Sequence, residues 1–442
     1  MTMLFVGAFF ISAPLVLLYT AGYRYDTKKH RVEKTGILQA DSIPTGARIV
    51  LNDVVQKITT PASFTRILPE DYRVRFEKEG FFPWEKTVEV KSSETTFLTN
   101  ALLFHDSLPR LVSSNDIAQA AFTRDGRREA ILMKNAGQWK ELTVLDAGKT
   151  TPTLLARFGR DSYSDARLSW SPDGSHLLFS AHDAKGAPVL ILYAASGAPA
   201  GRALQDGFPA SRLDARWSSD GSHIVVITMN GVFLVPPDLG GATTAVIAPG
   251  VEDATLRDKT LFLLRPQRNG TVLERRIGDY GTAESLTALP EGRYRFLGED
   301  GPHLLVADAR GTVLVIESDD GKIIDTLAAD HAVWLAKTKS PRLLAWSGYE
   351  ITVSDVAAAK HTLVARVSTP IKECAWHPSG LAVFYSTTTG IEAVELDDRD
   401  RRNVFDLVHF TDVGAFAVDP TDGVLRFTGA IGNRGGVYEK EY

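Results

Sequence analysis

Cysteine is nearly missing from this chain: Cys374 stands alone among 442 residues. An intrachain disulfide and a cysteine-built metal cluster are both excluded, so buried apolar area and backbone pairing must hold the fold. Two residues before Trp376, the thiol shares that tryptophan's face and reads as packed rather than reactive. A surplus of positive charge is missing too. Lys and Arg number 49 against 54 Asp and Glu, a formal net charge of −5, and nucleic acid is not an expected partner. Catalytic signatures are also lacking, since no G-x-S-x-G elbow and no H-E-x-x-H helix occurs. The stretch "DAGKTT" imitates a phosphate loop, but Thr143 occupies the place of the first glycine, and a hairpin turn is the better reading. In "ELDDRDRRN" the carboxylates of Asp397, Asp398 and Asp400 lack the glycine and distal glutamate of a calcium loop, and Arg399, Arg401 and Arg402 would repel the ion. That run reads as an exposed outer turn. No cofactor is implied.

Charge is absent from the beginning of the chain, where no charged side chain precedes Arg24 and "TMLFVGAFFISAPLVLLYTAGY" follows Met1. Roughly 20 apolar helical residues cover a ~30 Å hydrocarbon core. Residues 1–23 are therefore expected to be a single-pass anchor, kinked at Pro14, with 24–35 as a juxtamembrane linker. The run exceeds a typical signal-peptide core, no Lys or Arg precedes it, and "YTA" is a poor cleavage site. By the positive-inside rule the cluster Arg24, Lys28, Lys29 and Arg31 favours a cytoplasmic body.

From 36 to 104 short runs alternate apolar and polar residues, as in "ARIVLND" and "YRVRFEK", with Pro44, Pro61 and Pro69 as punctuation. Period-two alternation broken by proline predicts a small antiparallel sandwich. The segment resembles the PEGA domain through Pro44-Thr45-Gly46-Ala47, Leu51-Asn52-Asp53, Thr60-Pro61, Leu68-Pro69, Tyr72-Arg73-Val74, Lys78-Glu79-Gly80-Phe81 and Trp84. Thr45 replaces the eponymous glutamate, and Glu70 stands where a glycine is usual. The resemblance implies an Ig-like, surface-associated module without known catalysis, held outside the cytoplasmic membrane, and so an extracytoplasmic body at the cell membrane.

Residues 105–442 repeat one turn. "SWSPDG" and "RWSSDG" are its sharpest copies, and eight units can be aligned on Asp125, Asp173, Asp220, Asp258, Asp300, Ser340, Ser379 and Asp422, spaced 48, 47, 38, 42, 40, 39 and 43 apart. This is close to the ~40–45-residue period of a four-stranded propeller blade. Phe122, Trp170, Trp217, Leu297 and Trp376 each lie three before the turn residue and should end an inner strand and wedge between blades. The "WSPDG" copies resemble TolB-type propeller repeats, relatives of WD repeats. The expected architecture is all-β, a PEGA sandwich followed by a β-propeller of eight blades, with seven as the alternative. The last unit supplies three strands, and "SLPRLVS" at 107–113 is the spare strand expected to complete it.

His176, His223 and His303 hold equivalent places two after the turn glycine, and equivalent places repeat around a ring instead of converging on an ion. Two functions remain. One is a membrane-tethered scaffold, with the sandwich as a spacer, binding a cell-envelope protein, peptide or glycan. The other is a hydrolase or lyase with its site in the central channel. The short loops "TMNG", "DARG" and "STTTG" offer few acid or base groups, which favours binding without turnover. Loops "SAHDAKGAP", "RPQRNG" and "TGAIGNRGG" mix Gly with Asn, His, Asp and Arg, and Arg265, Arg268 and Arg434 are the candidate partner-binding residues.

Overall fold

The computed structural model describes residues 2–442 apart from 115, 136–137, 160–162, 199, 209–211, 239–242, 247–248, 279, 299–300, 336–340 and 433. The turn residues Asp300 and Ser340 lie outside the described residues.

The apolar N-terminal run forms a helix, Thr2–Thr20, but not the expected span. Gly22, at φ +85°, reverses the chain, and its carbonyl accepts from both the amide and the hydroxyl of Thr35 at 2.8 Å. Tyr23 already belongs to a strand, Tyr23–Asp26, paired with Arg31–Lys34. Only 19 helical residues remain, with Pro14 among them. They rise about 28 Å, short of the roughly 30 Å core. Among the described residues no helix is long and apolar enough to cross a membrane. The expected single-pass anchor, the membrane as partner, and the extracytoplasmic placement at the cell membrane do not stand. Nor is 24–35 a linker. It folds as that hairpin, and its basic residues reach the following unit, Lys28 Nζ to Glu70 Oε2 at 2.9 Å and Lys29 Nζ to the Pro69 carbonyl at 3.0 Å.

The N-terminal sandwich has two sheets. One runs in the order Val54–Thr59, Arg48–Leu51, Asp71–Glu77, Trp84–Glu89, and the other Ala62–Ile67, Gly36–Ile43, Thr95–Leu102. The pairing of Gly36–Ile43 with Thr95–Leu102 is parallel, a departure from the purely antiparallel expectation. Alternate residues of the strands point inward, so Leu38, Ile49, Val74, Phe76, Trp84 and Leu98 are buried. Asn52 and Asp53 both adopt positive φ, +46° and +65°, which lets the chain reverse tightly between two strands.

Among the described residues beyond 109, eight four-stranded antiparallel sheets follow. In chain order they are sheet 1 (117–157), sheet 2 (164–203), sheet 3 (213–246), sheet 4 (253–289), sheet 5 (294–328), sheet 6 (331–366), sheet 7 (373–409) and sheet 8 (412–441 with 110–114). The repeated turn has a local cause. Ser171 Oγ and Ser218 Oγ donate to Asp173 and Asp220 at 2.6 and 2.7 Å, each aspartate caps the amide two residues on, and the glycine takes φ near +70°. Burial acts to raise the Asp173 carboxyl, but the Ser171 and Ser175 donors overcome it and hold it at about 2. The aromatic wedge also carries a directional bond: Trp170, Trp217 and Trp376 donate Nε1–H to the carbonyls of Ala121, Ser169 and Val333 in the preceding sheet at 3.0, 3.1 and 3.2 Å.

Sheet 8 ends as expected, with the early strand Arg110–Ser114 pairing with Arg434–Glu441. Sheet 1 abuts sheet 8, Arg127 Nη1 lying 3.6 Å from Asp422, so the succession returns on itself.

The sandwich is no spacer. Its core is continuous with sheets 7 and 8 in one buried cluster that includes Trp84, Phe104, Phe384, Phe405 and Phe427. Glu395 sits at the junction, accepting from Trp84 Nε1 at 2.7 Å, Lys86 Nζ at 2.5 Å and the Asn403 amide at 2.9 Å. The "ELDDRDRRN" run is the expected outer turn, joining the third and fourth strands of sheet 7 with Asp398, Arg399, Asp400 and Arg401 exposed, but it also docks the sandwich. Lys86 Nζ donates to the carbonyls of Asp397 and Arg401 at 2.9 and 2.5 Å, and Asp400 Oδ2 accepts from the Thr87 amide at 3.0 Å.

Candidate interaction face

Consecutive strands of a four-stranded meander run in opposite directions. Hairpins between second and third strands, and the connections from one sheet to the next, therefore emerge on one side of the ring, and the Asp-Gly turns on the other. "SAHDAKGAP", "RPQRNG" and "TGAIGNRGG" are the second-to-third hairpins of sheets 2, 4 and 8, so the topology puts all three on one side.

It does not bring the three candidate arginines together. Arg265 is half-buried and gripped by Glu274, Nε to Oε1 at 2.9 Å and Nη2 to Oε2 at 3.2 Å, while Nη1 donates to the Pro249 carbonyl at 2.5 Å. It braces the hairpin. Arg434 is exposed in sheet 8, across the ring from sheet 4. Arg268 lines a cavity of about 780 Å³ spanning sheets 3 to 5, together with Arg212, Arg293, Arg310, Glu252 and Glu291. A second cavity of about 560 Å³ shares Arg212, Glu252 and Arg293 and reaches Arg167, Arg216 and Arg295 on the inner strands.

Within this cleft some arginines are structural. Arg216 Nη2 donates to Asp253 Oδ2 at 2.7 Å, and the same oxygen accepts from the Phe296 amide at 2.7 Å. One carboxylate thus clasps the inner strands of sheets 3, 4 and 5. Burial raises the Asp253 carboxyl, opposed by Arg216 and by the amides of Phe296 and Ala254. Arg212 is pinned through Nη2 to the Glu252 carbonyl at 2.5 Å. Arg268, Arg293 and Arg310, by contrast, are exposed and have no carboxylate within ion-pair reach among the described residues. They come from three successive loops: the second-to-third hairpin of sheet 4, the sheet 4 to sheet 5 connection, and the second-to-third hairpin of sheet 5. Exposed guanidiniums held on short loops are suited to carboxylate or phosphate groups.

Sequence reasoning missed Arg212, Arg293, Arg310 and Glu252. Arg310 was in view within "DARG", a loop discounted for its shortness. Arg293 lies in "GRYRF", a connection between units, and counting only hairpins passes over it. The histidines stay apart as expected of repeated positions: His176 Nδ1 bonds Ser175 Oγ at 2.8 Å, His223 Nδ1 bonds Ser222 Oγ at 2.9 Å, and His303 Nδ1 faces Glu317 at 3.3 Å. Elsewhere on the inner strands, burial pushes Glu373 up to about 7 against a bond from the Phe416 amide, and pushes the Cys374 thiol well up. A neutral, enclosed thiol is a poor nucleophile.

Residues 35–103 match the PEGA domain family. The ring is similar to the C-terminal WD40 domain of Sif2, with a TM-score of 0.54 at 13% identity over 76% of this chain and 99% of that one. It also aligns with a chain of a mitotic checkpoint complex (TM-score 0.45, 13% identity, 77% of this chain and 96% of that one) and with a eukaryotic initiation factor chain (0.47, 12%, 84% and 96%). Of these three, the Sif2 domain exceeds a TM-score of 0.5, and at that identity the likeness shows the fold: a WD40-like β-propeller. No curated protein matches the chain.

Proposed function

We propose that the protein is a binding scaffold, an eight-bladed propeller with TolB-type turns braced by the PEGA unit, which captures a protein or peptide on the arginine-lined side of sheets 3 to 5 without turning it over. The convergence of Arg268, Arg293 and Arg310 from three successive loops, none of them in an ion pair among the described residues, carries this reading. Three arginines on two hairpins and the connection between them form the kind of anchor that dominates interface energies. Arg265 serves by holding its hairpin. Arg434 would meet only a partner broad enough to cross the ring. Binding rather than chemistry is supported by the channel, where Asp253 already accepts three N–H bonds.

Selection of a phage-displayed random peptide library on the immobilised full chain tests this reading. Enriched clones should lose at least about tenfold in affinity when Arg268, Arg293 and Arg310 are replaced together by alanine, the loss expected for interface arginines. The melting temperature should stay near its original value, since exposed charges contribute about 0–1 kcal/mol each to stability. Enrichment indifferent to the three arginines, or cleavage of the selected peptides, would sink the proposal.

A further inference from the structure

The cleft holds a second unpaired group, of opposite sign. Glu252 Oε2 is buried and has no hydrogen-bond partner, and its residue lines both cavities alongside Arg293. The backbone of Glu252 is fixed: its amide donates to the Leu264 carbonyl at 2.8 Å, and its own carbonyl takes Arg212 Nη2 at 2.5 Å. The main chain is set while the buried side-chain oxygen lacks a donor, and a buried acceptor without one is costly.

These two features select a ligand chemistry. A phosphate chain or nucleic acid would satisfy Arg268, Arg293 and Arg310 but brings its own negative charge toward Glu252, Glu291 and Asp308. A polycation has the opposite fault. A peptide carrying both signs presents carboxylates to the guanidiniums and an ammonium or backbone N–H to Glu252 Oε2. Like charges juxtaposed in a cleft disfavour the wrong partner and so give specificity. We infer that the site takes an extended peptide of mixed charge, acidic side chains on Arg268, Arg293 and Arg310 and a lysine-type donor on Glu252. This inference rests on the capture reading above and names its partner's chemistry.

Fluorescence anisotropy with the full chain separates the possibilities, using labelled octapeptides of alternating Glu and Lys, of glutamate alone and of lysine alone, with tripolyphosphate as competitor. The alternating peptide should bind about tenfold more tightly than either single-sign peptide, the gain expected of one charge-assisted bond. Glu252→Gln should bring the alternating peptide down to the level of the all-glutamate one and leave the latter within about twofold. The triple arginine variant should weaken both. If the all-glutamate peptide or tripolyphosphate binds best, in an arginine-dependent way, the mixed-charge inference fails while the arginine face stands. If no probe responds to the arginines, both fail. The ranking of peptides on the unsubstituted chain needs no variant and decides the matter even where Glu252→Gln impairs folding.

Discussion

Lys86 is buried to 1% exposure, and its ammonium meets Glu395, itself 4% exposed, with two carbonyls completing its donors. Replacing it by methionine preserves the stem but strands the Glu395 carboxylate. Such a break typically costs about 3–5 kcal/mol, whereas removing both charges at once is far milder. Urea unfolding of Lys86→Met should show a loss of that order, and adding Glu395→Gln should restore much of it. An equal loss in the double variant would deny the pair its role. Nothing in the sequence announces this pair, because Glu395 lies far along the chain, 311 residues from Trp84, which shares its carboxylate with Lys86. The Ser-x-Asp-Gly turns were legible for the opposite reason: every group that makes them lies within five residues. Of the site, Arg268 was legible as a charged residue in a glycine-bearing hairpin. Its convergence with Arg293 and Arg310 was not, since that depends on how neighbouring sheets are set against each other.

At the scale of elements, the seam between sheets 1 and 8 gathers buried charge. Glu129, on the second strand of sheet 1, is 3% exposed, and Arg426 of sheet 8 is 5% exposed; Arg426 Nη2 lies 3.1 Å from Glu439. Burial pushes Glu129 up to about 7, with Arg426 lowering it and Glu439 raising it. A carboxyl whose folded pKa is raised keeps its proton longer in the folded chain than in the unfolded one. Its contribution is thus fully favourable at acid pH and declines as pH climbs from its ordinary value of 4.5 to about 7, a change of the order of 3 kcal/mol. Glu373 acts in the same sense, while His377, driven down to about 4 by burial, acts in the opposite one. The raw pH profile mixes them, and the informative quantity is a difference. Stability of Glu129→Gln minus that of the unsubstituted chain should rise between pH 4.5 and 7.5; a flat difference in urea midpoints would refute the assignment. Closure itself could be read from strand counting, although the strand begins at Arg110 and not at Ser107. The 24–35 hairpin could not, because four-residue strands are too short to display a period.

The molecule as a whole behaves as one packed body where the sequence suggested beads on a string. Phe104 lies against Phe384 and Phe405 across the junction, with ring centroids 6.0 and 4.9 Å apart, and Lys440 Nζ donates to the His105 carbonyl at 2.5 Å. Interfaces this apolar do not open independently. Calorimetry should therefore show the PEGA unit and the propeller melting in a single transition, and residues 105–442 alone should melt lower and bind a hydrophobic dye. Two separate transitions in the full chain would contradict a shared core. The composition and period conveyed two β units correctly, but an apolar residue such as Phe405 gives no sign of whether its own sheet or another unit covers it.

The closing strand also has a bearing on synthesis. Arg110 pairs with Glu439, 329 residues further along, so the first ring strand to leave the ribosome stays single until the remaining sheets have been translated. Contacts of such separation form late and slowly, and nascent domains normally fold in the order they emerge. A ribosome that stalls within sheet 8 would release a ring with two open edges, each matched to the other. The complement each edge lacks is present on any neighbouring copy of the same unfinished chain, which makes strand exchange between nascent chains the failure this topology invites.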